Sequence, residues 1–243
     1  SFEANSSQVA YTIENNLFVA KSDGSTIQVT NNSDKNIVSG QSIARNEFGI
    51  SGGICWSPNG NALAFYQKDE TDVTNYPLVD ITETPATLMN IKYPMAGQGS
   101  EKPSVGIYAI ASGKTVMIQP LHGVDNYLTN LSWTPDEKMI LLAEVNRDQN
   151  HYWLHCFDAQ TGAFVRTILE ETNDKWVEPE HPAFFPSNSS SNFVWISEKD
   201  GCNNLYYYTI DGKLIKQLTT NKFVAKSILT SINNGKEIVY AST

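Results

Sequence analysis

Short runs of alternating apolar and polar residues follow one another along the whole chain, separated by glycine, proline, asparagine or aspartate. A period of two places successive side chains on opposite faces and predicts half-buried β-strands. No stretch of twelve residues has a convincing 3.6-residue period. The pattern predicts an all-β protein with strands at 8–14, 17–21, 26–30, 53–57, 62–68, 105–111, 115–119, 128–134, 139–145, 152–158, 164–169, 182–185, 193–197, 205–210, 214–219, 225–231 and 237–241.

The predicted strands group in fours, and the groups share one order of features. An apolar first strand ends in a polar turn at 56–60, 133–136 and 185–188, and a small polar turn joins the third strand to the fourth. Four-stranded units of about 45–50 residues are typical of β-propeller blades. A β-sandwich is the alternative, but its strands would not repeat in fours.

The count of blades predicts an arc of a larger ring rather than a closed one. Three complete blades are expected, at about 37–121, 122–173 and 174–221, with partial blades at about 1–36 and 222–243. The first of the complete blades is interrupted by an insertion at about 69–102, which contains several prolines and little regular alternation. Long insertions in compact domains usually serve function or form an interaction arm.

Composition and charge exclude several classes of function. The formal charge of −9 and the pI near 4.9 argue against nucleic acid as a partner, since phosphates require clustered lysine and arginine. No window of 18 apolar residues is present, so we expect no membrane span. The chain starts at Ser1 without an initiator methionine, which suggests a processed or truncated product.

The histidines and cysteines show no metal-binding spacing. Cys55, Cys156 and Cys202 lie far apart in the sequence, and we expect Cys55 and Cys156 to be buried free thiols. The four histidines are His122, His151, His155 and His181, and none forms a helical i, i+4 pair. The sequence therefore predicts neither a metal site nor a cofactor.

A single carboxylate, Glu47, lies in the loop that precedes the strand ending at Trp56. In a repeat protein of this type such loops open onto one face, where ligands bind. A lone acidic residue in that position suits a cationic partner, such as the amino terminus of a peptide.

Several strings in the chain match a known family in order and spacing. They are Glu47-Phe48-Gly49-Ile50, Trp56-Ser57-Pro58, Leu63-Ala64-Phe65-Tyr66, Tyr93-Pro94-Met95-Ala96-Gly97, Leu128-Thr129-Asn130-Leu131-Ser132-Trp133, Glu144-Val145-Asn146-Arg147-Asp148-Gln149-Asn150 and Val177-Glu178-Pro179-Glu180-His181-Pro182. Together they resemble the propeller of the dipeptidyl peptidase IV family of serine peptidases, and most of all its bacterial prolyl tripeptidyl peptidase branch. The resemblance covers nearly the whole chain.

The resemblance implies an eight-bladed propeller joined to an α/β-hydrolase domain that carries a Ser-Asp-His triad. This chain has no Gly-x-Ser-x-Gly elbow, so catalysis is expected in a missing domain and no peptidase activity is expected here. In the family the propeller gates access and binds the substrate's free amino terminus, and Glu47 matches that position. Dipeptidyl members have two adjacent glutamates there, whereas Arg45-Asn46-Glu47 has one, which favours tripeptide release. The resemblance also implies that Arg45 and Asn46 belong to the substrate-binding site with Glu47.

Further expectations rest on the same resemblance. Arg147 lies in a segment that matches a family signature, and Trp176 lies in one that lines the substrate side in dipeptidyl members, although Glu178 and Pro179 depart from that pattern. The insertion resembles the arm by which members form homodimers, and the parent enzyme is expected in the periplasm or at the cell surface. The alternative is a binding propeller without enzymatic activity that acts as an interaction scaffold.

Overall fold

Antiparallel β-strands make up nearly all the regular structure in the computed structural model, which describes residues 1–187 and 189–243. Asn188, the last residue of the predicted turn at 185–188, lies outside the described residues. In the described part of the chain there is no α-helix, and one short 3₁₀ turn spans Ala44–Asn46. The all-β prediction is confirmed.

The strands form successive sheets along the chain. The first sheet contains β1 (Phe2–Glu3), β2 (Gln8–Ile13), β3 (Asn16–Ala20) and β4 (Thr26–Gln28). The second contains β5 (Ile37–Ser39), β6 (Ile54–Trp56), β7 (Ala62–Asp69), β10 (Lys102–Ala109) and β11 (Lys114–Ile118), and a separate hairpin of β8 (Asn75–Asp80) and β9 (Thr87–Lys92) is inserted between β7 and β10. The third contains β12 (Tyr127–Trp133), β13 (Met139–Val145), β14 (His151–Asp158) and β15 (Phe164–Thr172). The fourth contains β16 (Asn192–Ser197), β17 (Asn204–Thr209) and β18 (Leu214–Gln217), and the last pairs β19 (Ala225–Ile232) with β20 (Glu237–Ser242).

This succession of meandering antiparallel sheets is that of a β-propeller segment, as predicted. Apolar side chains fill the spaces between neighbouring sheets. One cluster packs Leu17 and Val19 of the first sheet against Leu63 and Phe65 of the second. A larger cluster joins the second, third and fourth sheets, and a third joins the fourth to the last. Each sheet is therefore held mainly by its neighbours in sequence.

Four strands were not predicted, and one predicted strand is reduced. The strands β1 and β5 are too short to show a period of two. In the hairpin of β8 and β9, Pro77 pairs with Asn90 and most side chains are exposed, so no apolar face marks the pattern. The strand predicted at 182–185 is a single bridge between Phe184 and Val194.

The edge strand of the second sheet is broken into two pieces. Both β5 and β6 pair with β7, so the chain leaves this edge after β5 and returns to it at β6. The buried Tyr66 holds both ends: its carbonyl accepts the Gly40 N–H at 2.8 Å, and its N–H donates to the Gly53 carbonyl at 2.9 Å. We call residues 41–52 the excursion.

Closure of the excursion requires a glycine at 53. A Cβ atom there would lie 2.2 Å from the Gln41 carbonyl oxygen, whereas a Cβ at the adjacent Gly52 would meet nothing within 4 Å. We therefore expect Gly53→Ala to lower the free energy of unfolding by about 1–3 kcal/mol or more, because the two strand ends must separate. Gly52→Ala is the matched control and should change it by less than about 1 kcal/mol. Urea unfolding of the two variants checks this, and equal stabilities would contradict the described closure.

Candidate functional site

Buried apolar side chains anchor the excursion on both sides of its exposed tip. Ile43, Phe48 and Ile50 are each at most 6% exposed and belong to the large apolar cluster. Between them Arg45 and Glu47 are exposed. The local sequence thus fixes the backbone by burial while presenting charged side chains to solvent.

The backbone at the tip is left-handed over consecutive residues. The φ angles are 49° at Ala44, 52° at Arg45 and 65° at Asn46, and Phe48 follows at 56°. Such conformations cost roughly 1–3 kcal/mol per residue and persist only where the surroundings enforce them. Here the buried carboxylate of Glu101 accepts the Ala44 N–H at 2.5 Å. Strain held in this way is typical of functional loops.

The third sheet packs directly against the excursion. The rings of Phe48 and Tyr127 are 5.0 Å apart, and the buried Thr129 hydroxyl donates to the Phe48 carbonyl at 3.2 Å. Gly49 lies against the loop that follows β15, since a Cβ there would be 2.0 Å from the Glu180 carbonyl oxygen. Glu47 is therefore fixed relative to two neighbouring sheets.

An irregularity in β12 holds the loop that follows β15. The pairing with β13 shifts between Thr129 and Ser132, and Asn130 has a φ of 54° within the shift. A bulge of this kind re-aims a side chain, and the buried Asn130 amide donates to the Pro179 carbonyl at 2.6 Å. The bulge therefore fixes the backbone between Glu178 and Glu180.

Three of the predicted site residues meet at one open pocket of about 290 Å³. Arg45, Glu47 and Arg147 line it, together with Tyr93 and Tyr127. The Arg45 guanidinium lies 4.6 Å from the centre of the Tyr93 ring and donates to the Lys92 carbonyl. The Arg147 guanidinium lies 4.8 Å from the centre of the Tyr127 ring and donates to its hydroxyl. Among the described residues no cation lies within 4 Å of the Glu47 carboxylate.

The other two predicted residues do not line this pocket. The Asn46 side chain accepts a hydrogen bond from the Ser42 hydroxyl within the excursion itself. Trp176 lies in the loop after β15 and is 55% exposed. The next residue, Val177, donates its N–H to the Gln149 carbonyl at 2.7 Å, which ties this loop to the turn that carries Arg147.

Sequence reasoning missed the carboxylates that lie near Glu47. Glu178 is exposed, but partial desolvation, then the charge of Glu180 and then that of Glu47 raise its pKa above the ordinary value. Burial and the charges of Glu178, Glu180 and Glu171 likewise raise the pKa of Glu198. The Glu-Pro-Glu string at 178–180 was the only signal in the sequence. The consequence is a region of negative potential beside the pocket.

Two further groups have distinct chemistry. Burial raises the pKa of the Cys55 and Cys156 thiols to about 11, so these free cysteines carry no thiolate at neutral pH. Away from the pocket, His122, Glu144 and His155 place their ligand atoms within 4.8 Å of one another. Spacing did not predict this group, because its members come from a loop and two different strands.

Within the described residues, no helix is long and apolar enough to cross a membrane.

Comparisons with known proteins identify the relatives of the chain. The family model of the dipeptidyl peptidase IV (DPP IV) N-terminal region matches residues 1–243. A candidate dipeptidyl aminopeptidase IV of Bacteroides ovatus superposes with a TM-score of 0.91 at 41% identity, over 100% of this chain and 36% of that chain. Dipeptidyl peptidase 4 of Porphyromonas gingivalis superposes with a TM-score of 0.84 at 24% identity, over 97% of this chain and 34% of that chain, and so shares the fold.

Curated relatives agree with the family model. Dipeptidyl peptidase 4 of Sus scrofa is 28% identical over 68% of this chain and 24% of its own length. A candidate dipeptidyl-aminopeptidase B of Neurospora crassa is 23% identical over 99% of this chain and 29% of its own length. The chain thus spans about a quarter to a third of the proteins that it matches. Since the family model covers every residue, the chain belongs to the dipeptidyl peptidase IV N-terminal region family.

Proposed function

We propose that this chain is the propeller segment of a serine exopeptidase, where it gates access and binds the free amino terminus of peptide substrates. The observation that carries the proposal is the presentation of Glu47. Its carboxylate lies at the edge of an open pocket, on a strained backbone clamped between buried anchors, without a cationic partner among the described residues. An ammonium group is the partner that such a carboxylate lacks.

The surrounding charges support a cationic ligand. The raised pKa of Glu178 reflects partial desolvation and then repulsion from Glu180 and Glu47. A peptide ammonium group near Glu47 would reduce that repulsion. The ammonium group would therefore bind more favourably here than beside one isolated carboxylate. These carboxylates thereby favour the amino end of a substrate beside Glu47.

The two arginines supply hydrogen-bond donors in the same pocket as Glu47. Arg45 and Arg147 are each held by a tyrosine ring, and a guanidinium has five N–H donors, of which the observed contacts use few. We propose that the remaining donors bind backbone carbonyl groups of the peptide. For Asn46 and Trp176, which lie outside the pocket, a substrate contact stays a prediction.

In this proposal, hydrolysis takes place in an α/β-hydrolase domain of the parent protein and not in this chain. The relatives are named dipeptidyl peptidases. The single glutamate at Glu47 supports tripeptide release, as in the prolyl tripeptidyl branch. The proposal includes an exported parent protein, periplasmic or at the cell surface.

We expect Glu47→Gln in the full-length protein to reduce kcat/KM for chromogenic peptides with a free amino terminus by about 30- to 800-fold. Losing one charge-assisted contact in a partly desolvated site costs on the order of 2–4 kcal/mol. Rates are measured on Xaa-Pro and Xaa-Xaa-Pro substrates, each with a free and a blocked amino terminus. Asp211→Asn, which removes an exposed carboxylate from the turn between β17 and β18, is the matched control and should leave the rates unchanged.

Different outcomes separate the parts of this proposal. A loss that is equal on free and blocked peptides would place Glu47 outside the amino-terminus site. Faster turnover of Xaa-Pro than of Xaa-Xaa-Pro would exclude tripeptide release. Absence of turnover in the full-length protein, with peptide binding retained, would favour the interaction scaffold.

We also propose that the hairpin of β8 and β9 is a contact between two copies of the protein. It projects from the second sheet and exposes large apolar side chains, among them the cross-strand pair Val79 and Leu88, which are 62% and 71% exposed. Exposed apolar clusters of this kind mark association surfaces. The base of the hairpin also reaches the pocket, because Tyr93 follows β9.

We expect Val79→Asp combined with Leu88→Asp to convert a dimer into a monomer, since two charges would be buried in an apolar contact. Light scattering over a concentration series of the full-length protein measures the change. Val165→Asp, at a site that is 39% exposed on β15 of the third sheet, is the control and should leave the mass unaltered. A protein that is monomeric before mutation, or a dimer that survives both charges, would refute this role.

A further inference from the structure

Strand register brings a histidine and a glutamate together on one face of the third sheet. Leu142 of β13 pairs with His155 of β14, and Glu144 pairs with Trp153. Because side chains alternate, Glu144, Trp153 and His155 share a face, with Glu144 and His155 at diagonal positions. The loop before β12 adds His122, whose ring stacks on Trp153 with the centres 3.9 Å apart.

The Glu144 carboxylate is fully buried and has almost all of its acceptor sites filled. Its Oε1 accepts the His122 N–H at 2.8 Å and the Asn126 amide at 2.7 Å, and its Oε2 accepts the Leu121 N–H at 2.8 Å. A carboxylate has about four acceptor sites, so one site remains on Oε2. That oxygen lies 3.4 Å from His155 Nε2.

His155 has one satisfied ring nitrogen and one unsatisfied ring nitrogen. The residue is 1% exposed, and its Nδ1 lies 3.1 Å from the Thr167 hydroxyl oxygen. Within the described residues, Nε2 has no hydrogen-bond partner. In the tautomer that donates Nδ1–H to Thr167, a lone pair on Nε2 faces a lone pair on the Glu144 carboxylate. In this tautomer the two buried acceptors repel each other, and a cation between them would satisfy both.

We propose that His122, Glu144 and His155 bind a divalent transition metal ion of the zinc type. Bonds of about 2.0–2.1 Å to a tetrahedral zinc ion separate its nitrogen and oxygen ligands by roughly 3.3 Å. The observed separation of 3.4 Å between His155 Nε2 and Glu144 Oε2 matches this value and is longer than a good hydrogen bond. The exposed His122 lies close enough to complete the set, with all ligand atoms within 4.8 Å of one another.

The surrounding contacts have the arrangement that supports metal ligands. Thr167 orients the His155 ring through its second nitrogen, and the Leu121, His122 and Asn126 donors orient Glu144. Two histidines and one glutamate leave the fourth position of a tetrahedral ion to water. The ion would tie the loop between the second and third sheets to β13 and β14. The ion would stabilise the junction of two blades, and it would lie outside the peptide pocket.

Calorimetric titration of the chelator-treated full-length protein with zinc chloride tests the site, and cobalt(II) absorption provides a second readout. We expect the unaltered protein to bind one equivalent of zinc. His122→Ala, which removes an exposed side chain, should raise the dissociation constant for that zinc ion by at least about tenfold. His155→Gln should do the same. His151→Ala is the matched control, because the His151 ring also contacts Trp153, with the centres 3.8 Å apart, but pairs with Glu170 at 2.5 Å.

Two results would overturn the proposal. One is zinc and cobalt binding that is absent, or unaltered by His122→Ala and His155→Gln. In that case the other tautomer of His155, with its proton on Nε2 and with Nδ1 accepting from the Thr167 hydroxyl, satisfies the pair with Glu144. The other is a loss of zinc affinity in His151→Ala that equals the loss in His122→Ala. That result would assign the metal to a different group of residues. Circular dichroism verifies that each variant is folded, and His122→Ala decides the matter if His155→Gln does not fold.

Discussion

The backbone of Tyr66 is the constraint on which the candidate site depends. Its N–H and carbonyl bind Gly53 and Gly40, and these two bonds convert one edge strand into two pieces with the excursion between them. Because Tyr66 is buried, water cannot replace either bond, and breaking them would leave unpaired backbone groups in the core. The regular sheet thereby holds an irregular, strained segment at fixed ends, and Glu47 lies at the tip of that segment.

Irregular features in neighbouring blades meet at this tip. The bulge at Asn130 fixes Pro179, and Glu180 packs on Gly49, so the carboxylates of two blades are held on one side of the assembly. The regular strands carry the apolar contacts that bind blade to blade. Function and stability are therefore divided: ligand chemistry lies where the strand pattern is interrupted, and the packing that positions it lies where the pattern continues.

The sequence predicted the regular part well. The strand at 139–145 has the bounds of β13, because its apolar run is long and buried on both faces. The strand β5 was missed, since its role depends on pairing with β7. Glu47 could be found because it is the lone carboxylate in the loop before the strand that ends at Trp56, and because its neighbours match the family. Glu178 could not, since its proximity to Glu47 arises from the packing of separate blades. His155 and its neighbours were missed for the same reason, because spacing rules describe ligands on one element.

A crystal structure of the full-length protein with a bound free-amino tripeptide ending in proline would test the central claim most directly. The account predicts that the peptide ammonium nitrogen lies about 2.7–2.9 Å from a Glu47 carboxylate oxygen, with the excursion unchanged between Gly40 and Gly53. A peptide whose amino group binds elsewhere, with Glu47 facing solvent, would contradict it.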